Sequence, residues 1–112
     1  MAAQDPAGLS HDRMPLHSLL HEAYLTTRHG MDDKTARERL HGLFPHARQD
    51  LIHLALTMAW ELRDVAFSVT VRMRSGIIGQ DEAMDELRRR CPGFSDMTYA
   101  KAWAFGLCES SW

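Results

Sequence analysis

The stretch ARQDLIHLALTMAWELRDVAFSVTVRMR, residues 47–74, contains neither Gly nor Pro. Drawn as a helix, it is apolar around most of its circumference. Leu51, Ala55, Met58, Leu62, Val65 and Val69 follow at spacings of 4, 3, 4, 3 and 4, the seam of a helix packed on another helix. Ile52, Ala59, Ala66 and Met73 widen that seam. A second patch, Leu56, Trp60, Phe67 and Val71, falls on nearly the opposite side. The polar sector is Asp50, His53, Thr57, Glu61, Asp64, Ser68 and Arg72. We read one long central helix over about 46–74, wrapped by its neighbours or shared with a second chain. At ~1.5 Å per residue it is about 42 Å long, against a radius of gyration of ~13 Å for a domain this size. Val65, Phe67, Val69, Val71 and Met73 also alternate like a strand. A strand there needs a partner, and only Ile77-Ile78 is near, so helix is the preferred reading.

Outward from this stretch, the remaining helices are short. Pro15 suits a first helical turn, and Leu16, Leu19, Leu20, Ala23, Tyr24 and Thr27 form one stripe before Gly30 stops it. Asp32 or Asp33 caps a second helix with Ala36, Leu40, Leu43 and Phe44 inside. Pro45 ends it, because the residue before proline disfavours helical geometry. Ser75-Gly76 ends the central helix, and Ile77-Ile78-Gly79 bridges to a fourth. Adjacent isoleucines in a linker are expected to tuck under the fold. The fourth helix, about Asp81–Arg90, runs from acidic to basic, the order its dipole favours. After Cys91-Pro92-Gly93-Phe94, Ser95 caps a fifth helix towards Trp112. The expected fold is therefore all-α, a five-helix single-domain bundle over 13–112 behind a flexible arm over 1–12.

A two-fold helix–turn–helix pseudo-repeat runs through it. Ala36-x3-Leu40-x3-Phe44-Pro45 matches Ala83-x3-Leu87-x3-Cys91-Pro92 at an offset of 83 − 36 = 47 residues. Ala55 then falls over Ala102, and Ala59 over Gly106. The match reads as a duplication or as one local solution used twice. The Leu43-Phe44-Pro45 turn resembles the Met-Phe-Pro turn of ubiquitin-binding CUE domains over those residues. The long third helix departs from the compact CUE fold and no di-leucine ending matches, so ubiquitin binding is not carried over.

Composition bounds the function. A chain of 112 residues with 45 % hydrophobic and 25 % charged residues is an ordinary one-domain protein. A net charge of −2 exerts no global pull on nucleic acid or anionic lipid. The longest apolar run is far below the ~20 residues of a membrane span. The start, Met-Ala-Ala-Gln-Asp-Pro-Ala-Gly, lacks the regions of a signal peptide. Two cysteines, on separate helices too far apart to pair, point to thiols and a cytoplasmic location.

No motif with specific chemistry stands out. His17 and His21 lie one helical turn apart, as two metal ligands on one face must, and His53 is a third candidate. Seven histidines make such a pair common by chance, so snorkelling side chains are the plainer reading. Read as a helix-turn-helix, residues 33–53 would present His46, Arg48, Gln49 and His53 to a groove, with Arg37 and Arg39 on phosphates. The same face continues into Asp50, Glu61 and Asp64, which repel phosphate. No Gly-rich phosphate loop or nucleophile elbow occurs, Cys91 has no base nearby in sequence, and no cofactor is implied. Catalysis is the least supported reading. The best supported is a cytoplasmic regulator, adaptor or steric inhibitor that binds another protein and forms a homodimer. Trp60, Phe67, Val71, Trp103 and Trp112 are its expected interface, since exposed aromatics dominate such surfaces. A DNA-binding regulator is the first alternative and a histidine-based metal binder the second.

Overall fold

The structure, a computed structural model, describes residues 6–110. It contains helices α1 (Pro6–Arg28), α2 (Asp33–Leu43), α3 (Gln49–Arg74), α4 (Gln80–Arg90) and α5 (Asp96–Glu109), with no strand among the described residues. The 65–73 stretch is helix, as its length without Gly or Pro favours. The first helix begins nine residues earlier than the sequence reading placed it. Pro6 has the fixed φ and missing N–H that suit a first helical position as well as Pro15 does. Part of the arm expected over 1–12 is therefore helical, and its first five residues lie outside the described ones.

The helix ends follow local chemistry. Asp32 Oδ1 accepts the Thr35 N–H at 2.7 Å and starts α2. Its carboxyl is held below the usual aspartate value by that bond. Phe44, ahead of Pro45, leaves helical geometry at φ −131°, ψ 72°. Arg48 rather than residue 46 is the last residue before α3. At the far end Gly76 takes φ 78°. There the N–H groups of Gly76 and Ile77 donate to Met73 O and Arg72 O at 3.0 and 2.9 Å, a Schellman closure. Ile78 then packs against the core. Ile77 does not, at 67 % exposed, because the left-handed glycine before it turns the chain outward.

The inner side of α3 is the core. Ile52, Ala59, Leu62 and Val69 are 0 % exposed, and Ala55, Leu56, Val65 and Ala66 are buried beside them. α1, α2, α4 and α5 all contact α3, and α1 also contacts α2. Leu19, Leu20, Ala23 and Tyr24 come from α1, Leu40 from α2, Leu87 from α4, and Tyr99 and Ala102 from α5. The 4-3-4 seam is thus used within the chain. The protein measures 52 × 32 × 19 Å. Its least dimension fits about two layers of helices at ~10 Å each, so the other side of α3 is left uncovered.

The 47-residue pseudo-repeat is structural. α2 and α4 are each 11 residues long. Each ends on a residue with matching dihedrals, φ −131°, ψ 72° at Phe44 and φ −128°, ψ 69° at Cys91. Those residues donate their N–H to Leu40 O and Leu87 O. α3 and α5 then start at Gln49 and Asp96. The second turn is locked by Tyr99, whose hydroxyl donates to Cys91 O at 2.7 Å and accepts the Phe94 N–H at 3.4 Å.

Two contacts fix neighbours to the C-terminal half of α3. α5 approaches at Gly106, where a Cβ would lie 3.0 Å from Ala66 O and 3.1 Å from Thr70 Oγ1. α4 is tied by Glu86, whose carboxylate meets both Arg72 and Arg90. The Arg72 hydrogen bond, then that of Arg90, holds the Glu86 carboxyl below its usual value of 4.5.

Two glycine substitutions should have opposite signs. Gly106→Ala presses on the α3 backbone and should cost about 1–3 kcal/mol in urea unfolding. Gly42→Ala, in α2 with no atom within 4 Å of the new Cβ, should raise stability by about 0.4–1 kcal/mol. For Glu86, a folded pKa below the unfolded one means the ion pairs stabilise above the usual value and are lost as pH falls through the folded pKa. Melting temperature should drop less between neutral pH and pH 3 in Glu86→Gln than in the natural sequence.

Candidate protein-binding surface

The uncovered side of α3 carries Trp60, Phe67 and Val71, at 42 %, 39 % and 36 % exposed. Leu56, the fourth member of that patch, is buried. With Asp64, the three exposed residues form a ridge at positions 60, 64, 67 and 71, which share one helical face. Beside the ridge lies an open cleft of about 510 Å³, lined by Trp60, Arg63, Asp64 and Phe67 of α3 and Glu109 of α5.

Arg63 builds the floor of this cleft. Its guanidinium donates to Thr27 O, near the C-terminus of α1, at 2.5 Å and reaches Glu109 Oε2 at 3.5 Å. The same group lies 5.2 Å from the Trp60 ring centroid and 5.5 Å from that of Phe105. Arg28 covers Phe105 at 4.7 Å. One side chain therefore joins the ends of α1 and α5 to α3 and props the Trp60 ring. Asp64, by contrast, is exposed and has no hydrogen-bond or ion-pair partner among the described residues. Nearby, the buried Tyr24 hydroxyl points to Lys101 O at 3.5 Å, and burial pushes the Tyr24 phenol up to about 12. This arrangement can hold apolar side chains and a polar head together.

The other candidate residues are scattered. Trp103 is half-buried and packs against the core, and Trp112 lies outside the described residues. His17 is exposed on α1, His53 is exposed on α3, and His21 Nδ1 is 2.7 Å from Thr98 Oγ1 between α1 and α5. Among the described residues no three His, Cys, Asp or Glu side chains lie close enough to hold a metal ion. Arg37 pairs with Asp33 at 3.0 Å and Arg39 with Glu22 at 3.1 Å. Arg48 makes two bonds to Asp50, at 3.1 and 2.9 Å. His46 and Gln49 are exposed at the turn before α3 and at its first residue. Burial, then the Glu61 charge, pushes the Cys91 thiol up to about 11, so it is protonated at neutral pH. No described helix is long and apolar enough to cross a membrane.

Sequence reasoning found the apolar members of the ridge and missed Arg63 and Glu109. Arg63 is 36 residues from Thr27 and 46 from Glu109, so no local spacing could join them. Comparison of the chain with protein-family models, curated proteins and solved structures returns no match in any of the three.

Arg63→Met keeps an unbranched apolar stem and loses the charged hydrogen bonds. It should lower unfolding free energy by about 1.5–3 kcal/mol. Arg63→Lys should restore only part of this, because an ammonium cannot stack on two rings while bonding two acceptors. Urea denaturation of both variants checks the order.

Proposed function

We propose that this protein is a small protein-binding regulator, adaptor or steric inhibitor, and that α3 is its docking element. The observation that supports this is the line of Trp60, Phe67 and Val71, exposed on the longest central helix while its opposite side is fully used by the core. A partner helix laid along such a ridge buries its own apolar face. Burying one large side chain contributes about 1.5–3 kcal/mol, and aromatics on a rigid support act as hot spots. The absence of a disulfide between Cys91 and Cys108 is compatible with the reducing cytoplasm, where we place the protein.

Tagged protein captured from lysate of the source cell, with and without nuclease, tests this reading. The natural sequence should retain a protein partner that survives nuclease. Trp60→Ser combined with Phe67→Ser should weaken that association by about 100-fold or more. Each ring is more than half covered and Trp60 also loses its contact with Arg63, so stability should fall by about 1–3 kcal/mol, and circular dichroism checks that the double variant is folded. Retention of the partner by the double variant sinks the surface assignment, and loss of the signal on nuclease treatment sinks the protein-binding reading.

A further inference from the structure

The charges beside the ridge narrow the kind of partner. Asp64 sits between Trp60 and Phe67 and is the one charged residue in the ridge of Trp60, Asp64, Phe67 and Val71. Glu61, exposed on the same helix, has no hydrogen-bond or ion-pair partner among the described residues either. Arg63, which lines the same cleft, is already met by Glu109 and by the Thr27 carbonyl, and Arg74, exposed one turn beyond Val71, is held by Ser110 and the Leu107 carbonyl. Asp64 is therefore a carboxylate set among apolar rings with no ion pair among the described residues.

Resting on the protein-binding reading above, we propose that the Trp60–Val71 ridge of α3 receives a helical segment of another protein that presents an arginine or lysine to Asp64 between apolar side chains. The 4-3-4 spacing of the ridge matches the seam two packed helices share. A cation placed there pairs with Asp64 and lies beside the Phe67 ring, which attracts it through its quadrupole, while Arg63 already occupies the Trp60 ring. The cation's apolar neighbours, three and four residues away, reach those rings and Val71. A single polar position within an apolar seam also sets the register. A second copy of this chain fits less well. A symmetric pairing of two ridges sets each Asp64 against apolar rings or against its own counterpart, while Arg63 and Arg74 on that side already bond within their own chain, and unpaired buried charge is costly.

Two designed amphipathic helical peptides, with leucines flanking a central Arg in one and a central Glu in the other, serve as probes. Calorimetric titration at low and physiological salt should show the Arg peptide binding about ten-fold tighter or more. Asp64→Lys should reverse that order, and Trp60→Ser should weaken both peptides. Circular dichroism confirms that each variant remains folded, and sedimentation of the chain alone reports a second copy. Equal affinity for the two peptides, with both weakened by Trp60→Ser, overturns the cationic partner and leaves the protein-binding reading standing. Binding of neither peptide, or a dimer dispersed by Trp60→Ser, overturns the proposal. If the Trp60→Ser, Phe67→Ser double variant also keeps its cellular partner, the surface assignment falls with it.

Discussion

Burial of the inner side of α3 is the constraint on which the other helices depend. α2 and α4 have 11 residues each, short of the ~12–15 at which an isolated helix becomes even marginal in water. Both become stable by placing a stripe, Ala36 with Leu40 or Ala83 with Leu87, into the core that α3 anchors. The small residues Ala55, Ala59 and Ala66 on α3 matter as much as the large ones. They let neighbouring helices approach closely, most of all at Gly106, where the α5 backbone approaches the α3 carbonyl of Ala66.

The two half-units show how one local rule builds a larger architecture. In each, a short helix ends two residues before a proline and the chain turns into the next helix. The dihedrals at Phe44 and Cys91 agree within a few degrees, although the turns share little beyond the proline. The means of holding the turn differ. In the second half, Tyr99 binds the turn's own backbone and stacks edge-on against Phe94. In the first half, the equivalent position is Ile52, which is simply buried. Backbone geometry repeats here because proline dictates it, while the side-chain support is particular to each half.

The same scaffold leaves α3 with two unlike sides. Its seam is consumed by four neighbours, and a structure only 19 Å deep has no layer left for the Trp60–Val71 ridge. Arg63 stands at the border between them. Its bonds run inward to Thr27 and Glu109, while its stacking on Trp60 orients a surface ring. Packing of the core and presentation of the ridge are thereby coupled through one side chain.

The sequence by itself determined the helical class, the stop signals and the buried stripes. Those features rest on backbone limits at Pro45, Gly76 and Pro92 and on a 3.6-residue period, all of which act within a few residues. It also marked Trp60, Phe67 and Val71 as lying opposite the seam. Tertiary structure alone decided that they stay exposed while Leu56 does not, because coverage depends on where neighbouring helices sit around α3. It likewise decided that Arg63 and Glu109 meet across 46 residues and that Asp64 has no ion pair among the described residues. The arginines read as phosphate contacts, Arg37, Arg39 and Arg48, find carboxylates within the fold. The physical reason is common to these cases. Period and turn chemistry are local, whereas burial and charge pairing are set by which distant elements come to lie side by side.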